Sequence, residues 1–501
     1  MFQYDFSNHQ NRHIRISDMP AGYFEKIQKT TQKDPFYPLW HIAPICGLLN
    51  DPCGLFEKDG THHIFHQWFP AGPVHGLKHW YALTTQDFVH YQDLGAELYP
   101  SEDCDSFGCY TGMALNDGDK VRIYYSGIID ERKEPCVAYG EFKDGKITGR
   151  HLIIERDARI SGRDFRDPCV FKRKDGFYML IGAQNPKGKG SILLYKGDDP
   201  EKFRCKGELE MGDRFFGYML ECPNYFDTED GGVLFFSPMG IESGNKYDFK
   251  NVFSVIYAKG ERLDTENCRV AFDNFYEMDK GFDFYAPQTY RDGKGRQILM
   301  GWLGNSKSEY PTDKNNWAHM LTMPREILWD GDRMVQRPLK ELEQLRGKKK
   351  EIRRECSVQE KAGTPDVILP EGRCSFEIEA QAEGDFWIEL SNEAGDRVLF
   401  QGDSREYVLD RGGMSYVYAE RFGTVRYAQR LEKRQSLRVF ADRSSLEIFA
   451  DGGKTVFTTR VFLEGQITLR VRGLEGTMYF LNGIEMDRSA RRLTGVKDIE
   501  K

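Results

Sequence analysis

The stretch Asn50-Asp51-Pro52-Cys53-Gly54-Leu55-Phe56 runs through a charged turn at 57–60 into His62-His63-Ile64-Phe65-His66-Gln67, and it decides the fold because its pattern returns four times. Tyr110-Thr111-Gly112 leads through 116–120 into Val121-Arg122-Ile123-Tyr124-Tyr125-Ser126. Arg166-Asp167-Pro168 leads through 172–175 into Gly176-Phe177-Tyr178-Met179-Leu180-Ile181. Glu221-Cys222-Pro223 leads through 227–231 into Gly232-Val233-Leu234-Phe235-Phe236-Ser237. Tyr285-Ala286-Pro287 leads through 291–295 into Arg296-Gln297-Ile298-Leu299-Met300-Gly301. Each unit reads as a short strand, a tight Asp/Gly turn and a β-branched, aromatic strand. The units recur every ~55 to 65 residues, and one hairpin uses only about 20 of these, which leaves room for two more strands per unit. Four-stranded units repeated radially make a β-propeller, here with five blades. The plain alternative is a run of hairpins in a sandwich.

Working outward, the repeat ends near Leu339. Residues 338–354 (PLKELEQLRGKKKEIRR) are charged and helix-prone and read as a linker helix or a solvated connection. Shorter alternating runs follow at 374–379, 386–390, 397–400, 415–419, 437–440, 445–449, 455–461, 466–471 and 477–481, with turn signals between them, the pattern of an all-β sandwich. Residues 1–35 are irregular, with a short helix expected around 21–30. The expected organisation is all-β: an N-terminal extension at 1–35, a five-bladed β-propeller at 36–338, a linker at 339–355, a β-sandwich at 356–490 and a tail at 491–501.

Composition narrows the class. The 501 residues are 40% hydrophobic and 30% charged, which is globular rather than disordered. No apolar run approaches the roughly 20 residues that span a bilayer. Lys+Arg 70 against Asp+Glu 78 gives a net charge of −8 with no dominant basic block, which argues against nucleic acid or an anionic membrane as partner. The 11 cysteines are scattered with no Cys-x-x-Cys pair, so neither a disulfide framework nor a zinc ribbon is indicated. Met1–Asp5 shows no basic segment followed by an apolar one. The expectation is a cytoplasmic chain with reduced thiols, no metal and no cofactor. The residues specify no oligomeric state.

Three units begin with an acid: Asp51, Asp167 and Glu221. If the leading strands are innermost, these side chains gather at one mouth of a central channel. Asp-Pro is a common turn dipeptide, so each acid alone reads as structural; their recurrence at the head of the repeat points to a cluster. Carboxylates are rarely buried without a purpose. A pair of them among aromatic residues suits glycoside cleavage, one donating a proton and one attacking. Calcium is the competing role, and no Asp-x-Asp-x-Asp loop supports it. His62, His63 and His66 fall on alternate faces of one strand and read as packing rather than metal ligands.

The motifs Asn50-Asp51-Pro52 with Gly54, Arg166-Asp167-Pro168 and Glu221-Cys222-Pro223 resemble the three signatures of glycoside hydrolase family 32, the invertases and fructan hydrolases. Further matches are Phe284-Tyr285-Ala286-Pro287-Gln288, Gly301-Trp302, Leu321-Thr322-Met323-Pro324-Arg325-Glu326, Gln336-Arg337-Pro338 and, in the last third, Asp442-Arg443-Ser444-Ser445-Leu446-Glu447-Ile448-Phe449. The resemblance covers roughly residues 38–485 and implies a five-bladed propeller with a β-sandwich. It implies a retaining β-fructofuranosidase acting on sucrose, sucrose 6-phosphate or short fructans. It makes Asp51 the nucleophile, Glu221 the general acid/base and Asp167 the transition-state stabiliser. It carries Asn50, Gln67, Trp80, Thr111, Arg166, Tyr285 and Trp302 as substrate-binding positions. A fructosyltransferase would use the same three acids, and a sugar-binding propeller would lack one. Leu48 stands where the family has Trp, and Cys53 where it has Asn. Gly76-Leu77-Lys78-His79-Trp80 and 216–221 look most like the bacterial members that act on sucrose 6-phosphate and related cytoplasmic sucrases. Lys78, His75 and His79 there offer cationic contacts to a phosphate, or else the loop is solvated over a core-facing Trp80.

Overall fold

The structure is a computed structural model that describes residues 4–118, 120–212, 214–354, 366–416, 418, 420–432 and 435–492. Five sheets follow one another between residues 47 and 338, each with four antiparallel strands in chain order; the first also takes Trp317–Ala318 and Glu485–Asp487 as parallel edge strands. The first holds Gly47–Lys58, Thr61–Phe69, His79–Thr85 and His90–Leu98; the second Cys109–Asn116, Val121–Ile128, Pro135–Lys143 and Lys146–Glu155. The third holds Phe165–Arg173, Gly176–Gln184, Gly190–Asp199 and Lys202–Glu208; the fourth Met219–Asp227, Gly232–Met239, Ile256–Gly260 and Tyr276–Glu277. The fifth holds Tyr285–Arg291, Gln297–Leu303, Arg325–Asp330 and Arg333–Pro338, with Met320–Leu321 beside its second strand. The leading strand of each sheet lies against that of the next, and the fifth against the first. Apolar side chains such as Tyr178, Leu194, Phe236 and Ile256 are buried between neighbouring sheets.

Every leading strand breaks its ladder at the repeated motif. The register shifts between Leu49 and Pro52, Cys109 and Gly112, Glu221 and Asn224, and Tyr285 and Gln288, and opposite Arg166–Cys169 in the third sheet. Three residues that precede a proline, Asp167, Cys222 and Ala286, take φ of 65°, 49° and 45°. Proline supplies no N–H to the ladder and restricts the residue before it. The chain therefore bulges there, and a bulge re-aims the side chains beside it.

Two six-stranded sheets follow. One is ordered Arg346–Ile352, Glu475–Leu481, Ser375–Ala382, Gln435–Asp442, Ser445–Ala450, Thr455–Arg460; the other Val367–Leu369, Ile467–Arg472, Phe386–Asn392, Arg397–Gly402, Glu406–Gly413, Val425–Gln429. Ile378, Val439 and Phe457 of the first share a core with Ile388, Phe400 and Leu469 of the second, so the alternation seen in the sequence does mark two packed sheets.

Where a linker helix or a solvated connection was expected, no helix forms. Lys340–Leu345 is a 3-10 turn, and Arg346–Ile352 is an edge strand paired with Glu475–Leu481. Pairing to an open edge overrides the local helical preference, and the exposed lysines at 348–350 suit an edge that must not recruit another strand. Of the strand expected at 415–419, residues 417 and 419 lie outside the described residues and 415–416 form a bend. The strands at Glu406–Gly413 and Val425–Gln429 went unread because glycines and charges interrupt their alternation. The start of the expected sandwich, 356–365, and most of the tail, 493–501, also lie outside the described residues. In the N-terminal region a helix, Tyr23–Thr31, stands close to where it was expected, after 3-10 turns at His9–His13 and Ile16–Asp18. No described helix is long and apolar enough to cross a membrane.

Candidate active site

The leading strands converge on a cavity of about 330 Å³ whose wall includes Asn50, Asp51, Tyr110, Thr111, Arg166, Asp167, Glu221 and Tyr285. The three acids are thus brought together, but not from equivalent positions. Asp51 and Asp167 directly precede their prolines, whereas Glu221 stands two before Pro223, in register with Asn50, Arg166 and Tyr285. Adjacent residues of a regular strand point to opposite faces. The bulge at each motif is what lets both members of the pairs Asn50–Asp51, Tyr110–Thr111 and Arg166–Asp167 reach one cavity.

Asp51 is nearly buried. Thr111 Oγ1 donates to its Oδ2 at 2.5 Å, Asn50 Nδ2 to its Oδ1 at 3.0 Å, and Gln67 Nε2 lies 3.4 Å from Oδ2. Burial raises its pKa, the Thr111 hydrogen bond opposes this, and the charge of Glu221 adds to the rise. Asp167 Oδ2 accepts from the Cys222 backbone N–H at 2.9 Å and from Cys222 Sγ at 3.5 Å. Its pKa is pushed up to about 7 by burial; Arg166 opposes this, while Glu221 and Asp51 reinforce it. Glu221 is held at both oxygens: Arg166 Nε donates to Oε1 at 2.9 Å and Tyr285 Oη to Oε2 at 2.6 Å. Arg166 also reaches Asp164 Oδ1 at 2.5 Å. Each acid therefore sits in a different setting, which is how a site divides attack, protonation and charge stabilisation among like groups.

The other expected positions divide. Asn50, Gln67, Thr111, Arg166, Tyr285 and Trp302 line the cavity, and Trp80 does not. Trp80 is fully buried between sheets, its Nε1 donating to Tyr110 O at 2.9 Å, and its ring fills the space where a Cβ on Gly54 would come within 2.7 Å. Gly54, at φ 51°, is what lets Trp80 pack there. The cavity wall on that side is instead His75 and Lys78, the residues before the strand that carries Trp80. His79 points elsewhere, buried with Nδ1 3.0 Å from Leu77 O. Among the described residues, two buried donors on the cavity wall have no partner, Trp302 Nε1 and His75 Nε2. Buried polar atoms are nearly always satisfied, so these two stand out in the wall. His62, His63 and His66 pack as expected of a strand: His62 bonds Tyr290 Oη at 2.8 Å, His63 stacks on Phe56 and His66 on Tyr81.

The mouth of the cavity carries two cations, Arg12 and Lys133, and sequence reasoning missed it. His9 and His13 line it beside them, His13 held below the usual imidazole range by burial and by Lys133. His9, Arg12 and His13 belong to the N-terminal turn His9–His13, which is pinned over the cavity where Leu77 N donates to Arg12 O at 2.7 Å. Gly76 permits that approach, since a Cβ there would stand 2.5 Å from Arg12 O. Irregular, polar sequence gives no periodic signal for such a contact.

Three carboxyl groups and an arginine around a sugar-sized cavity are the equipment of a glycoside hydrolase. Comparison with known proteins agrees. Residues 41–338 match the glycosyl hydrolases family 32 N-terminal domain and residues 341–479 the family's C-terminal domain. The chain therefore belongs to glycosyl hydrolase family 32. It is 38% identical over 482 residues to a sucrose-6-phosphate hydrolase of Vibrio alginolyticus, covering 95% of this chain and 96% of that one. It is 33% identical to one from Staphylococcus xylosus, covering 92% and 94%. The solved structure of sucrose-6-phosphate hydrolase from Lactobacillus gasseri superposes with a TM-score of 0.87 at 27% identity, covering 95% and 99%.

Proposed function

We propose that this chain is a retaining β-fructofuranosidase whose preferred substrate is sucrose 6-phosphate. The observation that carries the reading is the convergence of Asp51, Asp167 and Glu221 on one cavity beneath a cationic mouth. In the proposed mechanism Asp51 attacks the fructosyl anomeric carbon while Glu221 protonates the departing oxygen, and water then resolves the fructosyl-enzyme with Glu221 as base. Asp167, with Arg166, binds fructose hydroxyls and stabilises the developing positive charge. The fructosyl unit enters first, because its anomeric carbon must meet Asp51, so a phosphate on the other sugar faces outward to Arg12 and Lys133. The relatives' names support hydrolysis over transfer.

The same reading takes the five sheets at 47–338 as the blades of a propeller, closed where the leading strands of the fifth and first sheets meet, and the two six-stranded sheets as a sandwich domain. It places the boundary at the 3-10 turn Lys340–Leu345.

Fructose release from sucrose and from sucrose 6-phosphate tests the substrate. The wild type should show the higher kcat/KM on the phosphorylated sugar. Arg12→Ala with Lys133→Ala should raise KM for sucrose 6-phosphate about tenfold, a loss of about 1.4 kcal/mol, and leave sucrose nearly unchanged. Equal effects on both sugars would contradict phosphate recognition at the mouth.

A further inference from the structure

The loop ahead of His79–Thr85 buries a lysine in the cavity wall. Lys78 is 3% exposed, and its Nζ donates to Asn50 Oδ1 at 2.6 Å and to His75 Nδ1 at 3.0 Å. Asn50 in turn donates through Nδ2 to Asp51 Oδ1 and to Gln67 Oε1, each at 3.0 Å. The amide of Asn50 is therefore clamped between a cation and the carboxylate of Asp51, its oxygen toward one and its nitrogen toward the other. A buried ammonium is costly unless something demands it.

The charges around the cavity show what does. Asp51, Asp167 and Glu221 bring three carboxyl groups to it. Arg166 is engaged by Glu221 and Asp164 at 2.8 and 2.5 Å, and Lys78 is the cation joined to Asp51, through the Asn50 amide. When a sugar displaces water, the local dielectric falls and an uncompensated carboxylate takes up a proton. We propose that Lys78 is a positioning residue for the nucleophile: acting through the Asn50 amide, its ammonium keeps Asp51 ionised and aimed while the substrate closes the cavity. The inference rests on the assignment of Asp51 as nucleophile.

The groups that face Lys78 agree with this role. From the leading strand these are Asn50, Asp51 and Cys53; from its own loop His75; beside it His79, held down to about 4 by burial; and, across the cavity wall, His319. His75 and His319 are held well below the usual imidazole range by burial, with the Lys78 charge contributing, so both stay neutral and do not compete for Asp51. Lys78 itself is pushed down to about 7 by burial, and Asp51 is the main charge that opposes this.

Two variants separate charge from shape. Lys78→Gln keeps a donor for Asn50 Oδ1 and removes the charge; Lys78→Met removes both. The first readout needs no turnover: the carboxyl titration of 13C-aspartate-labelled protein, with the Asp51 signal assigned by Asp51→Asn. Its midpoint should rise by about one pH unit or more in both variants, the size of effect expected for a lost neighbouring opposite charge. The second readout is the pH profile of kcat/KM. Its acid limb should move up by the same amount, about tenfold in rate on that limb for each unit. Above the limb Lys78→Gln should keep most of the wild-type rate and Lys78→Met less. An Asp51 midpoint in Lys78→Gln that matches the wild type overturns the proposal, and that variant decides the matter if Lys78→Met fails to fold. A wild type that releases no fructose defeats the functional reading instead, while the titration still judges Lys78.

Discussion

Two of the clusters of buried carboxylates in this chain are built to opposite ends. Between the sandwich and the first five sheets, Asp442 accepts from the backbone N–H groups of Leu39, Trp40 and His41 at 2.8–3.0 Å and from His41 Nδ1 at 2.9 Å. Glu447 accepts from His41 Nε2 at 2.7 Å, Met323 N at 2.8 Å and the Arg325 guanidinium. Burial would raise the Glu447 pKa, but Arg325 and His41 outweigh it and hold it low. Burial would likewise lower His41, and its two carboxylates hold it high. In the cavity the balance reverses: the donors to Asp51 are all neutral, those to Asp167 both come from Cys222, and the two pKa values are raised by burial. The difference teaches that burial alone does not mark a functional acid. The saturated cluster spends its acids on joining two regions, and the undersaturated one keeps capacity for a ligand.

The largest test of that contrast exchanges loss of rate for loss of stability. Asp51→Ala should lower kcat by about 10⁴-fold or more and change the thermal midpoint little, because the buried carboxylate it removes and the Lys78 ammonium it leaves without a counter-charge act in opposite directions. Glu447→Gln should do the reverse. Taking a counter-charge from Arg325 and His41, which keep Asp279 and Asp442 as partners, should cost about 3 kcal/mol or less, read as a lowered midpoint in thermal unfolding, with kcat of the folded fraction kept. If both variants lost stability alike, the two clusters would not differ in kind.

A smaller effect sharpens the contrast through pH. Asp167 has its carboxyl raised from 3.8 to about 7, so its ionised form is a burden on the fold that grows as pH rises from 3.8 and is complete above about 7. Glu447 is lowered, so its contribution is present above its unfolded value of 4.5 and is lost as pH falls through the folded one. Asp167→Asn should therefore raise the thermal midpoint by a few degrees at pH 8 and by less at pH 5. A gain that is larger at pH 5 would reverse the sign assigned to Asp167.

The two clusters were not equally legible in the sequence. The recurrence of Asn50-Asp51-Pro52, Arg166-Asp167-Pro168 and Glu221-Cys222-Pro223 announced both the repeating hairpins and the three acids, because prolines, turn residues and β-branched runs write local geometry directly. What escaped was whatever depended on distant pairing. The segment Arg346–Ile352 looks helical until the free edge of Glu475–Leu481 is present to pair with it. Trp80 and His75 lie five residues apart, and only the packing of Trp80 on Gly54 decides which of them faces the cavity. Arg12 reaches the mouth through a backbone contact to Leu77, which no periodicity encodes. Glu221 was read as equivalent to Asp51, when it is one place earlier in the repeat and reaches the cavity because the strand bulges.

The central claim is that Asp51, in the undersaturated cluster, forms a covalent bond to the sugar. Glu221→Gln keeps the shape of the acid/base but cannot activate water. Given a fructoside with a good leaving group, this variant should accumulate the intermediate. Acid quenching, digestion and peptide mass analysis should then find the peptide that carries Asp51 heavier by one fructosyl unit. A peptide carrying Asp51 that remains unmodified while product forms, or a fructosyl group found on the Asp167 peptide instead, would contradict the account.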